Sequence, residues 1–197
     1  MTRSPALERV CAAAVAHFSE RSYDGGSLSE IAEAVGIRKA SLYSHFASKD
    51  ALFLAAYGEA LQVEQAFVRQ SFAAEAPKTA PGSRYCASLA QRYGESQHLR
   101  LLLRTAYVPP QALVAAVDEG YEDYLGVLQG GFEARLKVWP QTAGRLSGAD
   151  LRLYGQAYLA IVDSLHVKLV YTNGKDVGTR LKAMQRLLGD SLRLTTG

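Results

Sequence analysis

The chain is predicted to fold as an all-α protein of about nine helices. Three observations predict it. Apolar residues recur at three- and four-residue spacing through almost every segment, and serine, proline and glycine fall where such segments would begin and end. No stretch alternates apolar and polar residues as a half-buried strand would, and no internal repeat is visible. With 197 residues, 48% of them apolar, the chain can bury a sizeable core in one or two domains.

The first helix ends in HFSERSYDGGS and carries Leu7, Cys11, Ala14, Val15 and Phe18 on one apolar face. Ser27 then starts a second helix. Glu30 follows it at the spacing of a capping box, in which the serine hydroxyl takes an orphan amide and the glutamate reaches back to the cap's own amide. Leu28, Ile31, Ala32 and Val35 mark its inward face; Ser29, Glu30 and Glu33 point outward. Gly36 ends the helix, because the reversal needs a residue without a Cβ clash at positive φ. A short third helix begins near Arg38 and packs through Leu42 and Phe46, leaving Lys39, Ala40, Ser41, Tyr43 and Ser44 outward. This is the pattern of a helix-turn-helix.

The outward set suits the major groove of DNA. Small residues let the backbone come close, so Ala40 is expected to touch a thymine methyl while Ser41 and Ser44 meet base edges. Arg38 and Lys39 reach guanine edges or phosphates. Tyr43 and His45 are placed for the phosphate backbone, which fixes register without reading sequence. Ser48 caps the next helix, and Lys49 adds a full charge at its N-terminus as a second phosphate clamp.

Residues from about Val10 to Phe53 resemble the DNA-binding region of the TetR family of bacterial transcriptional regulators. The resemblance rests on the end of the first helix, on SEIAEAVGI, on KASLYSHF and on SKDALF, with the family's spacing kept from Phe18 to Phe53. It implies that Ser27, Tyr43, His45 and Lys49 bind phosphate and that Lys39, Ala40, Ser41 and Ser44 lie in or near the groove. Two positions depart from the family pattern. Ser22 stands where glycine usually closes the first helix, and Ser27 stands where threonine is frequent.

Charge alone does not argue for DNA. The formal net charge is +3, and between residues 1 and 55 six basic side chains (Arg3, Arg9, Arg21, Arg38, Lys39, Lys49) cancel six acidic ones (Glu8, Glu20, Asp24, Glu30, Glu33, Asp50). Attraction to DNA must then be local to the reading edge. Cys11 and Cys86 fit neither a disulfide framework nor a zinc site, and Cys11 reads as a buried free thiol. No secretory signal opens the chain and no segment reaches the length of a membrane span, so a cytoplasmic protein is expected.

Beyond Phe53 further helices are predicted. One runs from Ser48 through Leu61, Val63 and Phe67 until Pro77 and Pro81 end it. Others cover about Gly82–Tyr93 and His98–Ala106. A long one opens at the Pro109-Pro110 break and carries Val114, Val117, Tyr121, Leu125, Leu128 and Phe132 to Trp139-Pro140. The domain division that follows is 1–50 for the helix-turn-helix and 51–197 for a helical effector-binding and dimerisation domain.

The last two helices read as an oligomer interface. Tyr154, Tyr158, Ile161 and Leu165 mark one face of the first, Leu151, Ala157, Val162 and Val170 widen it, and Leu181, Met184 and Leu188 return along the second after an Asn173-Gly174 turn. The family resemblance implies a two-fold four-helix bundle; an intramolecular core is the competing reading. Asp163 and His166 fit either an interface pair or a solvated edge. A two-fold dimer would offer two reading helices to a palindromic operator, roughly 34–36 Å apart or a larger helical repeat.

Tyr57, Phe67, Tyr85 and Tyr93, with Tyr107, Tyr121 and Tyr124, are candidates to line an effector site; Phe132 is a further aromatic among the middle helices. Aromatic walls with hydroxyl tips suit a small, mostly apolar effector, although ordinary core packing explains each tyrosine taken singly. No nucleophile elbow, metal-ligand motif or glycine-rich phosphate loop supports an enzyme, and no metal or cofactor is expected. The expectation is a ligand-responsive regulator, a repressor on double-stranded operator DNA, acting as a homodimer. The alternatives are an activator, or a helical small-molecule binder without operator function.

Overall fold

The computed structural model describes residues 4–196, and among them the chain is all helical, with no strand. The helices are α1 (Pro5–Arg21), α2 (Leu28–Ala34), α3 (Lys39–Tyr43), α4 (Lys49–Ala73), α5 (Ser83–Glu95), α6 (Gln97–Tyr107), α7 (Val114–Val138), α8 (Gly148–Thr172) and α9 (Val177–Thr196). The fold is that of an N-terminal helix-turn-helix followed by a helical body. Two compact units form. The first holds the chain through Glu64 together with Glu95–Tyr121; the second holds Gln65–Gly94 and the chain from Glu122 onward.

The first unit is built on α1, whose start is fixed by the Ser4 hydroxyl accepting from the Leu7 amide and by Pro5 in its first turn. Cys11, Ala14, Val15 and Phe18 are buried, as the periodicity predicts; Val10 is buried with them, whereas Leu7 of the expected face is only half buried. The buried side chains meet Ile31 and Ala32 of α2, Leu42 of α3, and Leu52 and Phe53 of α4 in one core, and α6 packs along α1. Phe18 and Phe53 sit edge to face with centroids 5.0 Å apart. Burial of each ring contributes about 1.5–3 kcal/mol, and the edge-to-face geometry about 0.5–1.5 kcal/mol more.

The turn between α2 and α3 has the chemistry expected of it. Gly36 takes φ +72° in open space, so its role is conformational freedom rather than close packing. At the end of α1 a non-glycine residue carries the same burden: Ser22 holds φ 61° and ψ −178°, with its amide donating to the Phe18 carbonyl at 3.0 Å. A conformation this sparsely populated costs about 1–3 kcal/mol in a side-chain-bearing residue.

The expected capping box at Ser27 is only half formed. The Ser27 hydroxyl accepts the Glu30 amide at 3.4 Å, but the Ser27 amide donates to His17 Nε2 at 3.0 Å instead of to Glu30. Arg21 holds the carboxylate elsewhere: Glu30 Oε2 lies 3.7 Å from Arg21 Nη1, and 3.8 Å from the His17 Nε2 that accepts the Ser27 amide. A complete box forms farther on, between Ser147 and Asp150 at the start of α8.

In the second unit, Phe132 of α7 stacks on Tyr158 of α8 with centroids 4.3 Å apart. The loop between α4 and α5 is tied by Glu75, whose enclosed carboxylate accepts from the Gly82 amide at 3.2 Å, the Arg84 amide at 3.1 Å and Arg135 Nε at 3.3 Å. Gly82 needs its missing side chain twice over. Its φ is +73°, and a Cβ there would run into the Tyr158 ring, whose hydroxyl donates to the Gly82 carbonyl at 3.1 Å. Asn173 closes α8 in the left-handed region at φ 50°, followed by Gly174 at φ 79°, which makes the expected turn.

Three sequence expectations are corrected. Pro110 caps a 3-10 turn over Gln111–Leu113 rather than opening α7, which starts at Val114. Val114, expected on the apolar stripe of α7, is exposed, because that stripe turns inward only from Val117. His166 lies at no solvated edge: it is fully buried, within hydrogen-bond distance of the Tyr85 hydroxyl at 3.2 Å.

Candidate nucleic-acid interface

The candidate site occupies the head of the first unit. α3 is only five residues long, and its single buried side chain, Leu42, anchors it. Arg38, Lys39, Ala40, Ser41, Tyr43, Ser44 and His45 are all exposed around that anchor. Tyr43 leaves half of its surface in solvent at 50%, so its ring and hydroxyl are available to a partner surface. The Ser44 hydroxyl donates to the Ser41 carbonyl at 2.8 Å, so in the free protein its lone pairs, rather than its proton, face outward.

Ser27, at the start of α2, and Lys49, at the start of α4, are half buried. Ser48 caps α4 by accepting the Ala51 amide at 3.1 Å. The Lys49 ammonium lies 4.5 Å from the centroid of the Tyr23 ring, and the Tyr23 hydroxyl donates to Asp50. That bond, with some burial and the negative charges of Asp50 and Asp24, pushes the Tyr23 hydroxyl up to about 12. Tyr23 therefore stays neutral, and its ring face offers a resting place for the lysine charge. Sequence reasoning singled out neither Tyr23 nor His17. Both act through partners on another helix or across a loop, and no local spacing signals that.

The aromatics considered for an effector divide between the two units. In the first, the Tyr57 hydroxyl donates to the Val117 carbonyl at 3.2 Å, burial pushes its pKa up, and the hydroxyls of Tyr107 and Tyr121 lie 3.1 Å apart. In the second, Tyr85, Tyr93 and Tyr124 are buried and Phe67 is half buried. Tyr85 is hydrogen-bonded to Tyr124, and the Tyr124 ring stacks on His166. Burial lowers His166 to about 3, which leaves a neutral imidazole in this cluster. Cys86, beside the Tyr158 hydroxyl at 3.5 Å, is pushed up to about 12 by burial, so its thiol stays protonated.

Cavities in the second unit are of small-molecule size. One of about 550 Å³ is lined by Phe67, Gln70, Ser71, Ala74, Arg84, Ala87 and Ser88. Another, of about 470 Å³, is walled by Phe72, Val127 and three glycines of α7 between Arg69 and Arg135. Of the aromatics considered, Phe67 stands on a wall of the first. Among the described residues no cluster of three metal-ligating side chains forms, and no helix is long and apolar enough to cross a membrane.

On the last two helices, Tyr154, Tyr158, Ile161 and Leu165 are buried within the chain itself, whereas Leu181, Met184 and Leu188 are half buried. The exposed apolar side chains are Leu153, Val167 and Tyr171 on α8 and Leu187 and Leu194 on α9. Leu153, Ala157, Ala160, Ser164, Val167 and Tyr171 follow one another at helical spacing along one side of α8.

Residues 10–56 match the family model described as bacterial regulatory proteins, tetR family. A 40-residue stretch is 52% identical to the biofilm operon icaADBC HTH-type negative transcriptional regulator IcaR of Staphylococcus aureus, covering 20% of this chain and 22% of that protein. The match thus spans about a fifth of that relative's length. The transcriptional regulator FadR from Bacillus subtilis, solved in complex with stearoyl-CoA, aligns over 92% of this chain and 97% of its own with TM-score 0.66 and 19% identity. A tetR-family transcriptional regulator from Streptomyces coelicolor aligns over 98% of this chain and 82% of its own, with TM-score 0.68 and 20% identity. At such identities the likeness is one of fold.

Proposed function

We propose that the chain, whose residues 10–56 match the tetR family of bacterial regulatory proteins, is a ligand-responsive transcriptional repressor. It binds a palindromic operator as a homodimer in the cytoplasm and is released by a small, mostly apolar effector. Residues 1–50 serve as the DNA-binding domain and 51–197 as the effector-binding and dimerisation domain. The protein acts by binding rather than by catalysis.

One observation carries the reading: within a head whose residues 10–56 match the family, the whole set from Arg38 to His45 except Leu42 turns its side chains to the surface around one buried anchor. Ser27, Tyr43, His45 and Lys49 hold phosphates; Lys39, Ala40, Ser41 and Ser44 face base edges, with Arg38 at either. Repression is favoured over activation by the likeness of the head to IcaR, a negative transcriptional regulator.

Dimerisation is supported by the exposed stripe of Leu153, Val167, Tyr171, Leu187 and Leu194, which needs a partner surface to leave water. Leu181, Met184 and Leu188 border it. Effector release follows from linkage: a ligand that prefers the conformation with the wrong head spacing lowers operator affinity by its differential affinity for the two states. The cavities at Phe67 and at Phe72 are of a size for such a ligand, and FadR was solved with an acyl thioester bound.

Selection of bound genomic fragments, followed by gel shifts on the upstream DNA of the protein's own gene, tests the reading. Preference for a palindromic site at physiological salt is the expected result. An intact dimer with no sequence preference would sink it. Ser44→Ala and Lys39→Ala are expected to change preference among operators, and an equal loss on every sequence from Ser44→Ala counts against a reading role.

A further inference from the structure

We propose that His17 is a positioning residue for DNA binding: its imidazole fixes the backbone of Ser27 so that the Ser27 hydroxyl meets a phosphate. The proposal rests on the DNA-binding reading. His17 stands on α1 and Ser27 at the start of α2, ten residues apart in sequence, and the bond between them runs from the Ser27 amide to His17 Nε2 at 3.0 Å. An acceptor at Nε2 places the imidazole in its neutral form with the proton on Nδ1.

This bond replaces the usual one. At a helix start with glutamate three residues on, the carboxylate normally takes the cap's amide. Here Glu30 is engaged toward Arg21, and the imidazole supplies the acceptor. The exchange matters for the hydroxyl. Ser27 Oγ accepts the Glu30 amide at 3.4 Å, which leaves its own hydrogen to donate outward. The Ile31 amide donates to the Ser27 carbonyl at 3.1 Å. With the amide held by His17 and the carbonyl by Ile31, both peptide groups flanking Ser27 are fixed, and the hydroxyl is presented from a rigid backbone. Without the imidazole the Ser27 amide loses its partner and the entry to α2 can shift, although no charge on the head has changed.

The test uses the full-length chain and its selected operator. His17→Leu keeps similar bulk but removes the acceptor, while His17→Gln places an amide oxygen near the position of Nε2. We expect His17→Leu to weaken operator binding roughly tenfold, the scale of one amide left without its acceptor. His17→Gln should restore most of that loss. The salt slope should stay at the wild-type value, because no ionic phosphate contact is removed.

A double-mutant cycle separates positioning from general support of the fold: in a Ser27→Ala background, His17→Leu should cost little further affinity. The same loss in both backgrounds, or no loss from His17→Leu, overturns the proposal. Nitrogen NMR of the imidazole at about pH 8 reads the tautomer without DNA, and a proton on Nε2 overturns the bond itself. A wild-type chain that binds no operator overturns the DNA-binding reading, and this proposal with it.

Discussion

Lys49→Ala separates the contribution of one side chain to folding from its contribution to DNA binding. In the free protein the ammonium rests 4.5 Å from the Tyr23 ring centroid on a half-buried stem. A cation–π contact at such a site is worth about 0.5–1 kcal/mol, so truncation should lower the stability of the head by no more than about 1 kcal/mol. In the proposed dimer on its operator, the same charge would neutralise a phosphate in each protomer. Two lost ionic contacts make the plot of log affinity against log salt shallower by about 1.8. At about 0.15 M salt that slope corresponds to roughly 30-fold in affinity, or about 2 kcal/mol. The binding effect should therefore exceed the folding effect. Fluorescence anisotropy with the operator and with an unrelated duplex, from about 0.05 to 0.2 M salt, measures it. Both duplexes should lose affinity by a similar factor, and Lys49→Arg should restore the slope. An unchanged slope, or a loss confined to the operator, would refute Lys49 as a phosphate clamp.

Ser22→Gly should stabilise the protein by about 1 kcal/mol in urea unfolding, since φ 61° with ψ −178° strains serine but not glycine, and the gain is reduced by glycine's freer unfolded chain. A lower urea midpoint for the glycine variant would contradict that strain. Glu75→Gln should destabilise by about 3 kcal/mol, because a carboxamide offers one acceptor oxygen where the Gly82 and Arg84 amides and Arg135 all donate. Thermal unfolding within about 2 °C of wild type would show that the carboxylate is dispensable. His166 has a folded value of about 3, below the ordinary 6.5, so the neutral form is favoured in the native state and its stability is complete above about pH 6.5. That stability is lost as pH falls from 6.5 towards 3, at up to about 1.4 kcal/mol per pH unit. Urea midpoints of wild type should fall more steeply over that range than those of His166→Gln; parallel curves would remove His166 from the balance.

What could be read directly from the residues was whatever depends on neighbours within one or two helical turns. The Ile31 and Ala32 part of the α2 face, the Gly36 reversal and the outward set of α3 follow from helical geometry and from the positive φ that glycine tolerates, and each stands in the structure, while Leu28 and Val35 are half buried. The Ser27–Glu30 pair shows where local signals stop. Spacing predicted a reciprocal box, but an imidazole on another helix took the amide, and only the packing of α1 on α2 places it there.

The same boundary divides α8 and α9. Periodicity marked Tyr154, Tyr158, Ile161 and Leu165 as a face that must leave water, without naming the surface that covers it. The tertiary structure covers that face with the chain itself and leaves Leu153, Tyr171, Leu187 and Leu194 outside. A helix apolar on two sides carries no local mark of which side meets its own fold. His166 follows the same rule, since its neutrality comes from burial beside Tyr85 and Tyr124, residues far away in sequence. Helix periodicity, caps and turns act between near neighbours, so the all-helical class and the helix-turn-helix head are legible in the residues alone. The partner of Ser27, the lysine's resting place on Tyr23 and the covered face of α8 depend on which distant segments the core brings into contact.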